Sequence, residues 1–233
     1  MALNECNLTW EAFMACTTHA LSTEQEEIMG LLLGNWEEKE GKITLHIWGV
    51  QILTRETKQE DRVEVGPEQL SRVAQMAEKI SDETGITTRV VGWYHSHPRI
   101  TVLPSHVDVR TQGQYQAMDE RFIGLIFSVF KQKGGERSQV GSIEVTAFQS
   151  QDVAQRDGKR NTAPIWAQKQ IPLNIISSPS AGFSSALPLS AALENLVLLQ
   201  DVLFKEERAA YADAARGARR SLLQGAHAGA TYQ

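Results

Sequence analysis

Two histidines close the stretch VVGWYHSHP: His95 and His97, one residue apart and followed at once by Pro98. On an extended strand, residues i and i+2 share a face, so both imidazoles project together while Ser96 points away. Proline cannot continue a central strand, which places the pair where a sheet gives way to a loop. Asp108 follows His97 by eleven residues, with Ser105 three residues before it. A loop over Pro98–Pro104 and a helix starting at Ser105 can return that carboxylate to the imidazoles. Two histidine nitrogens and one carboxylate oxygen leave a fourth tetrahedral position open for water, as a catalytic zinc site requires. Zinc lowers the pKa of such a water to about 7 and makes a nucleophile at neutral pH. The chemistry these residue types point to is metal-assisted hydrolysis.

Each piece also has a plainer reading. Ser105 and Asp108 match S-x-x-D, a helix capping box. A strand histidine is often a structural hydrogen-bonding residue. His106 adjoins the cap and reads as a surface residue, and Trp93 and Tyr94 read as core aromatics beside the site. His19, His46 and His227 have no metal-like spacing. Cys6 and Cys16 form no C-x-x-C pair and read as buried thiols of a reducing compartment, without a catalytic part. No HExxH, cysteine-rich zinc site, P-loop or G-x-S-x-G stretch is present.

The elements that must position these residues follow from patterning. Thr9–Ala20 is expected to be a helix, Ile28–Gly34 a buried strand, Asn35–Lys42 a polar turn and Ile43–Leu53 a second strand. Arg55–Glu64 reads as a charged loop or strand edge. Gly66-Pro67 opens a helix with Leu70, Val73, Ala74, Ala77 and Ile80 at helical spacing, and Gly85 ends it. A strand over Thr87–His97, a helix from Ser105 to about Met118, and strands over Phe122–Phe130 and Ser142–Gln149 around Gly134-Gly135 complete the pattern. This β-β-α-β-α-β-β order after the first helix predicts an α/β (mixed α+β) class, with a mixed sheet flanked by helices.

Domain organisation follows composition. Residues 1–176 read as one catalytic-size domain, and 177–186, with SSPSAGFSS, as a linker. Residues 187–224 read as a long helical segment. Its apolar stripe is Leu189, Ala192, Leu196, Leu199 and Leu203, widened by Leu193, Val197 and Phe204. Such a stripe must pack on its own domain or on a partner. Residues 225–233 read as a disordered tail.

The 233-residue chain carries a net charge of −5 and is 42% apolar, ordinary for a globular protein. That balance gives no support to direct nucleic-acid binding. No run approaches roughly 18 apolar residues, so no membrane span is expected, and no signal peptide is visible. A cytoplasmic and nuclear location is the expectation.

Taken together, H-x-H, seven residues to Ser105 and two more to Asp108 resemble the JAMM (MPN+) signature of zinc isopeptidases. That pattern also has an upstream glutamate three residues before a glycine, and Glu27 in EEIMG matches it through Gly30. The resemblance extends through HALSTEQEEIMGLLLG, RVEVGPEQL, RVVGWYHSHPRITVLPSHVDVRTQ and FIGLIFSVF, roughly residues 8 to 150. Within the family these stretches are most similar to the lysine-63-specific catalytic subunits of the BRISC and BRCA-type nuclear deubiquitinase complexes. The resemblance implies an MPN fold and one Zn2+ per chain held by His95, His97 and Asp108. It implies that Glu27 moves protons and that Ser105 donates to the oxyanion. Polyubiquitin is the implied substrate, and the implied partner is an inactive-MPN subunit that pairs with the C-terminal helix in a higher-order heteromer. The signature sets chemistry rather than substrate. A peptidase for another ubiquitin-like modifier, or a mainly structural MPN scaffold, therefore stays open at this point.

Overall fold

The computed structural model describes residues 3–53, 65–131, 142–153, 165–177 and 187–229; in the last segment the side chains described are 194 and 196–218. The chain runs β1 (Leu3–Thr9), α1 (Trp10–Ala20), β2 (Met29–Lys39), β3 (Lys42–Ile52), α2 (Pro67–Thr84), β4 (Arg89–Pro98), α3 (His106–Gln116), β5 (Ile123–Lys131), β6 (Ser142–Asp152), β7 (Trp166–Ile171), β8 (Leu173–Ile176) and α4 (Leu187–Gly229). The strands form one sheet in the order β7-β6-β5-β4-β2-β3-β1-β8. The β4–β5, β1–β3 and β1–β8 pairs are parallel and the others antiparallel. The expected mixed sheet flanked by helices is what forms.

Both faces of this sheet are buried. Leu32, Tyr94, Leu125 and Phe127 point into one core, which Ala12, Ala15, Cys16 and Ala20 of α1 cover. Leu31, Leu33, Trp93 and Ile126 point into the other, against Val73 and Ala77 of α2 and Tyr115 of α3. A strand buried on both faces reads as a continuous apolar run rather than an alternating one, which accounts for GLLLG and FIGLIF. The helix ends obey local rules. Thr9 Oγ1 accepts the Ala12 N–H to start α1, Pro67 opens α2, and Gly85 closes it at φ 71°.

Four features depart from the sequence reading. The stretch NWEEKEGK is mostly strand: Asn35–Lys39 pair with Lys42–His46. Only Glu40 and Gly41 make the turn, at φ 52° and 75°, as a two-residue hairpin that matches strand twist requires. Strand β1 was not foreseen because LNECNLT is rich in weak strand formers. It forms because β3 and β8 both pair with it and bury Leu3, Cys6 and Leu8, a tertiary context that outweighs propensity. Cys6 therefore sits on β1 and Cys16 on α1, both free and buried. Strands β7 and β8 were also missed. They are one run broken at Pro172, and they serve opposite ends of the sheet, β7 beside β6 and β8 beside β1. Pro172 cannot donate to a ladder, but its carbonyl accepts the Cys6 N–H at 2.8 Å. Finally, α4 continues past residue 224 to Gly229, into the stretch expected to be a disordered tail. Arg55–Glu64, Gly134-Gly135 and nearly all of the linker lie outside the described residues.

Pro98 is the last residue of β4 and pairs with Val129. Proline is tolerated there for a directional reason. Ser96 N–H points to β2, bonding Ile28 O at 3.0 Å. Position 98 faces the same side, beyond the last β2–β4 pair, Met29 with His95. The missing N–H falls where no strand needs it.

Candidate metal centre

The two central strands, β2 and β4, part company at one end of the sheet, and the polar cluster lies at that parting. His95 and His97 emerge on the face that also carries Met29 and Trp93. They are 0% and 2% exposed. Their Nε2 atoms stand 3.1 Å apart. Asp108, in the first turn of α3, brings Oδ1 to 3.4 Å from His95 Nε2 and Oδ2 to 3.5 Å from His97 Nε2. Glu27 Oε1 lies 3.9 Å from His97 Nε2. The structure thus brings together four of the five sequence-predicted residues around His97.

Each of them is held from behind. His97 Nδ1 donates to Thr101 O at 2.7 Å, so its Nε2 lone pair faces the cluster. That carbonyl is fixed by the loop around it: Arg99 N–H bonds Val129 O, and Ser128 Oγ donates to Ile100 O at 2.5 Å. Arg99 takes φ 65°, a left-handed conformation uncommon for a side-chain-bearing residue, as the chain turns out of β4. His95 stacks on Trp93 with ring centroids 4.7 Å apart and 12° between planes. Trp93 Nε1 in turn donates to Gln112 Oε1 at 2.7 Å, and Gln112 Nε2 donates to Phe122 O. Gln112 therefore ties the strand of the histidines to the helix of Asp108.

The capping-box and ligand readings of Ser105 and Asp108 hold at the same time. Ser105 Oγ accepts the Asp108 N–H at 3.2 Å and Asp108 Oδ2 accepts the Ser105 N–H at 2.6 Å. The cap fixes the carboxylate rotamer, and the same rotamer aims both oxygens at the histidines. The cap uses the Ser105 hydroxyl only as an acceptor, leaving its O–H to donate, and the residue is exposed.

The electrostatics agree with a cation site. Burial works against the Asp108 carboxylate, yet hydrogen bonding to His95, His97 and Ser105 holds its pKa far below the ordinary 3.8. Burial also opposes charge on His97, but Asp108, the Thr101 carbonyl and Glu27 outweigh it and raise its pKa above 6.5. Three electron-pair donors lie within 4.8 Å of one another. Ligands about 2.0–2.1 Å from a tetrahedral zinc lie about 3.3 Å apart, and the spacings here are 3.1, 3.4 and 3.5 Å. The donor set and its geometry fit the ion.

The comparisons with known proteins agree. Residues 2–121 match the family described as JAB1/Mov34/MPN/PAD-1 ubiquitin protease. The chain belongs to this family. Its curated relatives include proteins named Lys-63-specific deubiquitinase BRCC36. The Xenopus laevis protein is 43% identical over 211 residues, 91% of this chain and 74% of the relative. The Mus musculus protein is 40% identical over 231 residues, 90% and 74%, and the Homo sapiens protein 38% over 250 residues, 90% and 76%.

Within the MPN frame, the remaining candidates sort by burial. Trp93 and Tyr94 are core, 1% and 0% exposed. Tyr94 covers Gly30 so closely that a Cβ there would lie 2.3 Å from its ring, and its hydroxyl meets His19 Nδ1 at 2.9 Å. His106 is exposed, and His46 lies 3.8 Å from Glu37. Burial pushes both thiols up, Cys6 and Cys16 alike, which makes poor nucleophiles of them. Gln112 and Thr101 were not singled out from sequence. A glutamine in the polar string TQGQYQ gives no sign that it is fully buried, and Thr101 meets the histidines only through its backbone carbonyl.

Proposed function

We propose that this chain is a zinc-dependent isopeptidase that hydrolyses lysine-63-linked polyubiquitin, and that an inactive-MPN partner subunit activates it. The observation that carries the reading is the buried His95–His97–Asp108 triad with Glu27 at its edge. It occurs in a chain about 40% identical to the Lys-63-specific relatives over nine tenths of its length. His95, His97 and Asp108 would hold one zinc ion. When bound, zinc supplies Lewis-acid polarisation of a carbonyl and a water acidic enough to ionise near neutral pH.

The chain's own residues do the rest. Glu27, 31% exposed along its side chain, sits between the buried imidazoles and solvent. Its carboxylate takes a proton from the attacking water and returns it to the departing lysine amine, a general base and then a general acid. Ser105 donates its O–H to the oxygen that becomes negatively charged, a contribution typically worth on the order of 10²–10³ in turnover. His97 keeps its lone pair forward because Thr101 O holds the opposite ring nitrogen. No acyl-enzyme is needed, since water attacks directly. The ubiquitin tail, extended at its C-terminus, adds as a strand beside the site, and the lysine-bearing ubiquitin rests near Arg99–Pro104 and Arg110–Tyr115.

The partner reading is supported by α4. Leu199 and Val202 are buried against Ile52 of β3, so part of the stripe serves its own domain. Val197, Phe204 and Tyr211 recur every seven residues, on one line of the helix, at 69%, 61% and 70% exposure. A line of large apolar side chains left in water suits a partner helix. The test is a linkage panel of di-ubiquitins offered to the zinc-loaded chain, alone and co-purified with an inactive-MPN subunit. Cleavage confined to the lysine-63 linkage, and dependent on the partner, is expected. Hydrolysis of another modifier only, or of nothing in either form, overturns the reading.

A further inference from the structure

The β2–β4 ladder ends in an unusual exchange. Ser96 N–H donates to Ile28 O at 3.0 Å, as an antiparallel pair should. The return bond does not use the Ser96 carbonyl. Ile28 N–H donates instead to Ser96 Oγ, also at 3.0 Å. Ile28 is 2% exposed and Ser96 0%, so this side-chain bond replaces a main-chain one inside the protein. Glu27 is the next residue, and its carboxylate is the group that reaches past His97.

From this we infer that Ser96, the residue between the two histidines, is a positioning residue that sets the place of Glu27. The inference rests on the reading of Glu27 as the proton carrier. A strand pair that continued in register would hold Glu27 directly opposite His97 through main-chain bonds. Here a hydroxyl on the Cβ of Ser96 bridges the two strands, and the point where Glu27 leaves β2 is fixed by the reach of that side chain. Removing the hydroxyl strands a buried N–H, whose loss of a partner is costly. The segment then shifts to find another acceptor and carries the carboxylate with it. The histidines have other supports: the Trp93 stack, the Thr101 carbonyl and the pairing of His95 and His97 with Ile126 and Ser128 of β5. Loss of the Ser96 hydroxyl therefore separates proton transfer from metal binding.

A second tie joins the same two segments on the outside. Arg99 donates to Glu24 Oε2 at 2.6 Å, but both side chains are about half exposed or more, 61% and 47%. An exposed ion pair of this kind holds position weakly. The buried Ser96 bond is the one that carries the placement, which gives the inference an internal control.

The experiment compares Ser96→Ala, Ser96→Thr, Glu24→Ala and Glu27→Gln, each zinc-loaded and co-purified with the inactive-MPN subunit. Lysine-63-linked di-ubiquitin is the substrate, and hydrogen exchange is followed at the Ile28 amide. Ser96→Ala is expected to lower kcat about ten- to a hundredfold, as a displacement on the order of 1 Å does. KM should stay within about threefold and one zinc should remain per chain. The Ile28 amide should exchange at least about tenfold faster while the Leu31 and Leu32 amides hold their rates. Ser96→Thr, which keeps a hydroxyl, restores kcat toward the parent, and Glu24→Ala, which breaks the exposed ion pair from its other side, changes it less than about threefold. Should Ser96→Ala fail to fold, Ser96→Cys, whose thiol fills the space but accepts poorly, must show the same split. Unchanged kcat in Ser96→Ala, or zinc lost in step with kcat, overturns the inference. So does an Ile28 amide as protected as before, and that measurement needs no turnover at all. If Glu27→Gln keeps its activity, the functional reading itself fails. If Glu27→Gln is dead while Ser96→Ala is unimpaired, only the role of Ser96 falls.

Discussion

The metal centre and the outer line of α4 break the burial rule in opposite directions. At the parting of β2 and β4, two imidazoles and a carboxylate are 0%, 2% and 8% exposed. On α4, Val197, Phe204 and Tyr211 are 61–70% exposed. Ordinary folding places polar groups outside and large apolar ones inside, so the informative residues are those that do the reverse. The comparison also separates two kinds of support. In the centre, His97 Nδ1 is tied to the Thr101 carbonyl and Asp108 Oδ2 to the helix cap, while the two Nε2 atoms and Asp108 Oδ1 face one another. The α4 line has its own domain behind it, through Leu199 and Val202, and nothing from the described residues in front. The centre is held by its own fold; the outer line of α4 is left in water, where the proposed reading puts a partner.

The sharpest way to break that comparison is at the centre. His97→Ala removes a proposed ligand, the residue whose Nε2 lies 3.9 Å from Glu27 Oε1. Hydrolysis is expected to fall roughly 10³-fold or more, with zinc content dropping in parallel by atomic absorption. Chelation should do the same to the unaltered protein, and added zinc should reverse it. Persistent hydrolysis by a fully chelated chain would sink the metal assignment. Ser105→Ala comes next, because its hydroxyl caps α3 and, on the proposed reading, also donates to the oxyanion. Turnover should fall on the order of 10²-fold, and thermal unfolding should show a cap loss of about 1 kcal/mol. A variant that loses the stability but none of the turnover would leave Ser105 a cap and nothing more.

How much of this was legible beforehand depended on whether a residue acts through its own side chain. H-x-H, S-x-x-D and the glutamate before Gly30 are side-chain chemistry at fixed spacing, and sequence carries that directly. The α2 boundaries were legible for the same reason, since Pro67 and Gly85 act locally. Three kinds of feature were not. Thr101 contributes a carbonyl, which every residue has. Gln112 contributes a buried amide whose burial depends on Trp93 and Phe122, both distant in sequence. Strands β1, β7 and β8 exist because opposite ends of the sheet recruit them around Pro172, and nothing in LNECNLT or WAQKQI announces that. Ser96 lies between. Its type was plain in HSHP, but it faces away from the histidine pair, and its bond to the Ile28 N–H was not visible in the sequence.

The acid side of the pH scale sharpens the contrast further. In the metal-free chain His97 has its pKa raised above 6.5, so the stability it contributes is full below 6.5 and is lost as pH rises through the raised value. Asp108 has its pKa depressed, so its contribution is present above about 3.8 and is lost as pH falls through its folded value. Zinc needs both groups unprotonated. Its apparent affinity should therefore climb with pH, by up to about tenfold per unit for each proton displaced, and level off only above the raised His97 value. Competition titrations with a chelating dye at several pH values measure this. An affinity flat from pH 5.5 to 8 would mean that His97 is not a ligand.

The two sides of α4 give the smallest effects on the isolated chain and the clearest opposition. Leu199→Ala deletes a side chain that is 4% exposed and packed with Val202 and Ile52. It should cost about 2–3 kcal/mol in denaturant unfolding, less than the deepest core positions because its cluster is small. Phe204→Asp, one heptad position on the outer line, removes nothing the chain's own fold uses. The isolated chain should unfold within about 0.5 kcal/mol of the parent, and its solubility should improve as an exposed apolar residue is replaced by a charge. Association with the inactive-MPN subunit should fail, because a carboxylate buried in an apolar helix seam has no partner there. A Phe204→Asp chain that destabilises as much as Leu199→Ala would show that the outer line packs on its own protein. One that binds the partner undiminished would show that the contact lies elsewhere. The predicted pattern, one substitution felt by the fold and the other only by the partner, requires that α4 divides its apolar residues between two duties along its length.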